Sequence, residues 1–368
     1  MANLRANGQH GLTAQTLDTI EDLVRLLPQW WALWDRCPSA TPFQSPAWLL
    51  PWWRVFQPGE LLIVTARQDD RLVGLGPFYI EDGAHGRRIL PLGIGVSDYL
   101  DVLIDPQTSD EAVTALVDHV AAQADRWDSW ELEELAPDAA AWVLPRSTDL
   151  TEITEPQNAC PVLTLPCAAE HLPAMIPRRS LRKAWNRVQR RTGIDVVEAS
   201  FGTVSDLVGT LIDLHRQRWT ARHEPGVLGT QEVQQFHLEA APRLLAAEML
   251  RLYGLRIQGR VVGVYYGFAH RGRAYGYLSG FDPGSASQSP GTVLLAHAIR
   301  EAAREGCREF HFLRGQEPYK YAWGAVDRWN RRRSLCPADR TDIAGVVTPK
   351  PRSVGRASSG PFGLSNHP

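Results

Sequence analysis

Two stretches of this chain follow the same plan, and that duplication constrains its fold more than any single motif. Leu61–Ala66 followed by Arg71–Tyr79 reads as a β-hairpin, with Gln68-Asp69-Asp70 at the turn. Leu252–Ile257 followed by Arg260–Phe268 repeats it around Gln258-Gly259. Each hairpin leads to a candidate strand closed by Asp-Pro, Asp98–Pro106 in the first copy and Tyr275–Pro283 in the second. Helical periodicity follows over Glu111–Asp125 and Gly291–Glu305, where apolar residues such as Leu294, Leu295, Ala298, Ile299 and Ala302 recur at steps of three and four. Strands Trp130–Leu135 and Glu309–Leu313 close the copies. The slack between the two registers falls on a longer Gly-rich loop, Glu81–Gly95, in the first.

Copies of this size are domains rather than solenoid repeats. The expected plan is a flexible N-terminus over 1–16, a first domain over 17–166, a second over 167–336, and a Pro/Ser/Gly-rich disordered tail over 337–368. Helical segments precede each copy, over Leu17–Arg54 and Pro177–Glu248, and strand Val162–Leu165 carries the chain across. The fold class is α/β (α+β), with two tandem mixed, mostly antiparallel sheets flanked by helices. With 368 residues, 44% of them hydrophobic, there is material for two cores. Trp30, Trp31, Trp34, Trp48, Trp52 and Trp53 read as packing residues.

Several function classes drop out. A net charge of −2 gives no whole-molecule attraction to nucleic acid or anionic membrane. The five cysteines form no CxxC pair and no metal-like spacing, as expected in a reducing compartment. No segment approaches the roughly 20 apolar residues of a membrane span, and the N-terminus lacks an apolar signal region. The reading is a soluble cytoplasmic protein without a metal.

The chemistry concentrates late in the chain. A helix opening with Ser289-Pro290-Gly291-Thr292 puts proline where its missing N–H costs nothing and leaves first-turn donors uncovered by bulky side chains. Such a start suits an anion such as a pyrophosphate, and so a nucleotide-like cofactor. The next strand ends in Glu317-Pro318-Tyr319-Lys320-Tyr321. Farther upstream, Arg178–Arg191 carries seven basic residues and no acid, with Leu181, Trp185 and Val188 as one apolar stripe. That pattern fits a solvated helix face, or a surface for an anionic glycan, a polyphosphate or an RNA.

Five segments together resemble the tandem-domain branch of the GNAT acyltransferase superfamily, in particular the family associated with cellulose or exopolysaccharide biosynthesis (CelD-like, related to FemAB). They are Phe43–Trp48 (FQSPAW), Gly95–Leu100 (GVSDYL), Leu214–Trp219 (LHRQRW), Tyr277–Asp282 (YLSGFD) and Glu317–Gly324 (EPYKYAWG). The resemblance runs from about Phe43 to about Arg333. It implies acetyl-CoA or another acyl-CoA as donor and direct transfer to an amine or hydroxyl of a small molecule or glycan precursor. It also implies a donor lying in a splay beside Tyr275–Phe281, its thioester polarised by the N–H groups of Leu278 and Ser279. The pyrophosphate would sit on Gln288, Ser289, Pro290, Gly291 and Thr292, a loop that keeps the Gln and first Gly of the usual Arg/Gln-x-x-Gly-x-Gly/Ala pattern and lacks the second. The first copy has Gln107-Thr108-Ser109-Asp110-Glu111 there, whose acids repel phosphate, and is expected not to bind the donor.

Transfer needs a base and oxyanion donors. Asp98, expected to face a cleft, and His215 are the candidate bases, while Asp101 reads as structural. Lys320 is placed to pair with a phosphate or oxyanion, and Tyr319 or Tyr321 to return a proton to the leaving thiolate. Arg216, Trp219 and Arg314 are candidate acceptor-site residues. No Ser or Cys stands in a nucleophile-elbow setting, so a covalent acyl-enzyme is not expected. Two other readings stay open: an aminoacyl-tRNA-dependent transferase of the Fem kind, the one case in which a nucleic-acid partner is expected, and a non-catalytic scaffold in polysaccharide biosynthesis.

Overall fold

The computed structural model describes residues 11–84, 86–108, 110–145, 149–172, 179–190, 193–220 and 226–338. In chain order the elements are β1 (Leu12–Leu17), α1 (Ile20–Arg36), α2 (Pro46–Phe56), β2 (Glu60–Gln68), β3 (Arg71–Gly83), β4 (Gly86–Pro91) and β5 (Leu103–Ile104). Then follow α3 (Asp110–Ala121), β6 (Ser129–Leu135), β7 (Leu150–Thr164), α4 (Arg179–Arg190), β8 (Asp195–Glu198), α5 (Val204–Thr220) and α6 (Gln231–Ala246). The last are β9 (Leu250–Ile257), β10 (Arg260–His270), β11 (Arg273–Phe281), α7 (Pro290–Arg304), β12 (Glu309–His311), α8 (Pro318–Ala322) and β13 (Val326–Pro337). Short 3₁₀ turns join some of them, and the architecture is mixed α/β. Of the tail read from sequence as disordered over 337–368, Pro337 ends β13 and Ala338 N–H donates to the Asp149 carbonyl (2.9 Å), while residues 339–368, like residues 1–10, lie outside the described residues.

The chain divides into two compact units, interleaved in sequence. Among described residues the first holds 11–46, 57–156 and 331–338, and the second 47–56 and 157–330. The first unit orders its strands β1-β2-β3-β4-β6-β13, with β5 on β3. Its core is aliphatic with Phe78, Trp127 and Trp130, packed under α3 through Val113, Leu116, Val117 and Val120. Helix α1 buries Leu23, Leu26, Trp30, Leu33 and Trp34, the three-and-four spacing of one helix face. The Trp30 and Trp34 indoles donate to the carbonyls of Gln44 (3.1 Å) and Thr41 (2.9 Å), so both rings are buried without an orphaned N–H.

The second unit orders its strands β7-β12-β11-β10-β9-β8. One face is covered by α7 and α4, whose Leu181, Trp185 and Val188 are buried, as the apolar stripe predicts. On the other face Trp48 of α2 meets Phe236, Phe268 and Tyr277 edge-on, with centroids 4.7–5.5 Å apart. Of the six tryptophans read as packing residues, Trp30, Trp34, Trp48, Trp52 and Trp53 are buried, and Trp31 is half-buried edge-on to Trp34.

Three expectations need correction. Leu12–Thr16, placed in a flexible N-terminus, belong to strand β1, which pairs with β2 along its length. The Gly-rich loop Glu81–Gly95 holds β4, which extends the first hairpin by pairing with β3 from Phe78↔Pro91 to Gly83↔Gly86. Strand β4 is antiparallel to β3 and parallel to β6, just as β11 is antiparallel to β10 and parallel to β12. The first-copy counterpart of β11 is therefore β4. Asp98–Pro106, aligned with it through the shared Asp-Pro, supplies only the two-residue β5 on Gly74 and Leu75.

Candidate functional site

Strand β11 sets the site. It pairs with β12 in parallel at Arg273↔Glu309, Ala274↔Phe310 and Tyr275↔His311, and there the pairing stops. Beyond that fork β11 runs on to Phe281, held on its other side by β10. The chain leaving β12 stays with β7 instead: Phe312 N–H donates to the Pro161 carbonyl (2.9 Å) and Gly315 N–H to that of Ala159 (3.0 Å). One edge of Gly276–Phe281 thus has no strand partner from β12. A β-bulge at Tyr277 precedes Leu278 and Ser279. Successive N–H groups in a regular strand point to opposite edges, so only one of these two residues turns its donor toward the open edge.

Strand β11 leads to α7. Asp282 accepts from Gly284 N–H and caps a 3₁₀ turn over Pro283–Gln288, and Ser289 then takes a left-handed conformation (φ 51°). Helix α7 starts at Pro290, and no side chain caps its first turn. The N–H groups of Gly291 and Thr292, at positions without intrahelical partners, remain free of a side-chain cap. Gln288 does not face this end alone, because Arg187 of α4 donates to its carbonyl and side-chain oxygen (3.0 Å each). A guanidinium thus stands beside the helix start. A second one, missed in the sequence, is Arg218. It is buried, lies 5.2 Å from the centroid of Phe281, and Phe281 lies 3.5 Å from where a Cβ on Gly291 would be.

His215 and Trp219 share a face of α5, with rings 5.7 Å apart. Gly226 (φ 63°) covers them so closely that a Cβ there would fall 2.3 Å from the imidazole. Burial, with the nearby Arg218 charge, pushes the His215 pKa down to about 4, so the ring is neutral at pH 7. Its Nε2 is buried and has no hydrogen-bond partner among the described residues. Arg216, the next residue of α5, is turned to solvent and pairs with Asp213 at 3.2 Å.

The remaining expected residues fall elsewhere. Asp98, expected to face a cleft, is fully buried. It precedes Tyr99, whose carbonyl accepts from the Gln44 amide (2.8 Å) and whose ring meets Phe43. Two of the motif segments, FQSPAW and GVSDYL, are thus stitched together as packing. Asp101 is structural, accepting N–H bonds from Val102, Ala140 and Ala141 (2.7–2.8 Å).

Lys320, expected to face a phosphate or oxyanion, is turned inward and 1% exposed. Its ammonium donates to the carbonyls of Leu313 (3.0 Å), Arg314 (2.7 Å) and Gly315 (2.9 Å), which uses all three protons. The Glu317 carboxylate lies 2.9 Å away as counter-ion. Tyr319 is buried, edge-on to Phe312, and the Tyr321 hydroxyl donates to Asp327 at 2.7 Å. Arg314 is half-buried on the turn that Lys320 holds.

His311 was also missed, though the alternation Glu309-Phe310-His311 signals two polar side chains on one strand face. It occupies the last paired position before the fork. Its Nε2 lies 3.0 Å from Glu309, which Arg328 also binds, and its ring packs on Tyr275 with centroids 5.0 Å apart. Burial lowers the His311 pKa; the His311 hydrogen bond, with Arg328, holds the Glu309 carboxyl well below the usual range. Among the described residues no cluster of His, Cys, Asp and Glu could hold a metal, and no helix is long and apolar enough to cross a membrane.

Residues 177–321 match the sequence model of the acetyltransferase (GNAT) domain. The chain is similar in structure to FemX (TM-score 0.61, 10% identity, covering 87% of this chain and 96% of that one). It is similar to the C-terminal domain of a putative lysylphosphatidylglycerol synthetase from Agrobacterium fabrum (TM-score 0.53, 11% identity, 88% and 95% covered). It is also similar to L-PGS from Bacillus licheniformis (TM-score 0.52, 11% identity, 86% and 93% covered). At such identities the likeness is one of fold. No curated protein is significantly similar in sequence. The open-edged strand and the helix after it lie within the stretch that matches the GNAT domain model, and the fold is that of GNAT acyltransferases.

Proposed function

We propose that the chain is an acyl-CoA-dependent acyltransferase, with acetyl-CoA the simplest donor and an amine or hydroxyl of a small molecule or glycan precursor as acceptor. The observation that carries this reading is the fork at Tyr275/His311, which leaves β11 open on the approach to an uncapped α7. The donor supplies an activated acyl group and a polyphosphate handle. Gly291 and Thr292 N–H groups, with Arg187 beside them, hold the phosphates. One of Leu278 and Ser279 donates to the thioester carbonyl, where negative charge grows during attack.

His215, in the same unit as these elements, is the proposed base. In the tautomer protonated at Nδ1, Nε2 accepts the proton as the acceptor's N or O bonds to the acyl carbon and the carbon–sulfur bond breaks. The departing thiolate takes up a proton from solvent, and His215 returns its own to water. A base with a pKa near 4 is weak, so positioning must supply much of the rate. The test is release of free thiol from acetyl-CoA across a panel of amines and alcohols. Turnover by the wild type that is lost in His215→Phe supports the assignment, and equal rates in the two proteins remove His215 from it.

One observation favours the aminoacyl-tRNA reading instead. Arg179, Arg182, Lys183 and Arg190 lie on the face of α4 opposite its buried stripe, all exposed, and none has a carboxylate partner among the described residues. Cations in a row suit a phosphodiester backbone, with a log–log salt slope near −0.7 per phosphate contacted. Salt-sensitive binding of tRNA, abolished by reversing Arg182 and Lys183 to Glu, would favour this reading over the first.

A further inference from the structure

We infer that Lys320 is a positioning residue whose ammonium keeps the fork between β11 and β12 open, so that the donor-binding edge exists at all. The inference rests on the acyl-CoA reading only for what the edge binds.

The backbone after β12 is one a chain does not adopt unaided. Leu313 has φ 60° and Gly315 φ 105°, and a bulky residue at positive φ is an outlier that its surroundings must hold. Between them the carbonyls of Leu313, Arg314 and Gly315 converge on one buried ammonium at 2.7–3.0 Å. Three consecutive carbonyls that converge on one point cannot alternate between two edges as the carbonyls of a strand do, so this segment cannot pair with β11 past Tyr275. The segment is fixed from its other side as well: Gly315 N–H is bound to Ala159, and Gln316 and Tyr321 both donate to Asp327. One ammonium thus bonds all three convergent carbonyls, at 2.7–3.0 Å. Without it they face each other unpaired, and the turn must relax.

Truncating Lys320→Ala deletes a piece equal to propylammonium and leaves its cradle. We would measure the thermal midpoint and the acetyl-CoA affinity of the full-length variant in propylammonium chloride and, at equal ionic strength, in tetramethylammonium chloride, which cannot donate hydrogen bonds. The expected result is at least a tenfold loss of affinity and a lowered midpoint, both largely restored by propylammonium and not by tetramethylammonium. Glu317→Gln, which keeps all three carbonyl bonds, is expected to stay within about threefold of the wild type.

Wild-type affinity in Lys320→Ala overturns the inference, and so does a folded variant whose lost affinity propylammonium fails to restore. A lysine acting on the reacting atoms would show normal donor affinity with lost turnover, which also overturns it. If the wild type itself binds no acyl-CoA, the acyl-CoA reading falls, and the amine-specific rise in midpoint still reads the clamp. If Lys320→Ala is insoluble without amine, recovery on refolding in propylammonium and not in tetramethylammonium supports the cradle, and recovery in neither overturns it.

Discussion

In the first unit, β4 pairs with β6 through Arg88 and Ile89 and ends at Pro91. In the second, β11 pairs with β12 up to Tyr275 and continues to Phe281. The helices that follow differ too. Helix α3 opens with the exposed acids Asp110 and Glu111, while α7 opens with Pro290-Gly291-Thr292 and no acid in its first turn. One plan has thus been built twice, and the second unit carries the longer unpaired strand edge and the helix start without acids. The difference lies in a few residues, a proline that stops one strand and a lysine that bends the neighbour of the other, rather than in the architecture.

Each unit holds a buried cation that gathers backbone carbonyls and one glutamate. In the first it is Arg333, donating to Ala141 (2.8 Å) and Leu144 (3.0 Å) beside Glu152. In the second it is Lys320. Removing one member of a buried pair typically costs about 3–5 kcal/mol, so Arg333→Met and Lys320→Met should each lower stability by that order in denaturant titrations. Only the second is expected to weaken acetyl-CoA binding beyond what instability explains, and equal binding losses in both would erase the distinction between the units.

Acid sharpens it next. His215 is held neutral, with its folded pKa near 4 below an unfolded value near 6.5. Its contribution is present above pH 6.5 and is lost as pH falls from there toward 4, because the unfolded chain takes up the proton first. The cost is about 2–3 kcal/mol. Urea titrations between pH 7 and 4 should show that slope in the wild type and a flatter one in His215→Phe. His270, also pushed down to about 4, adds a second slope that both proteins share.

Smaller effects follow. A Cβ on Gly280 would meet the Leu211 carbonyl and the Leu214 side chain at 3.2 Å, so Gly280→Ala should press α5 off β11. Overpacking of this kind costs about 1–3 kcal/mol, read by thermal unfolding with acetyl-CoA titration beside it. Least of all, Asp110→Asn with Glu111→Gln removes favourable charge from the start of α3. That should cost about 0.3–1 kcal/mol without creating a second acetyl-CoA site.

The hairpins, the helix after each, the buried stripe of α4 and the uncapped start of α7 were legible because periodicity and turn residues are local signals. The counterpart of β11 was not. Asp105-Pro106 and Asp282-Pro283 look alike, yet β4 is marked only by Arg87-Arg88-Ile89-Leu90 within a Gly-rich run, and its place depends on pairing with distant β3 and β6. Site residues failed for a related reason. Lys320 between two tyrosines announces chemistry, but which way its ammonium points is settled by carbonyls whose convergence needs Leu313 at positive φ. Periodicity placed His215 correctly within a helix, while its burial depends on Gly226, beyond the end of that helix.

The central claim is that one unit of the two holds the donor, at the start of α7. Calorimetric titration of the full chain with acetyl-CoA, beside Gly291→Glu, tests it most directly. A Cβ at this position makes only ordinary contact with Phe281, the variant's thermal midpoint reports whether the longer side chain is accommodated, and its carboxylate would repel the phosphates. The account predicts one site per chain in the wild type and none in the variant. Two sites, or one that survives Gly291→Glu, would contradict it.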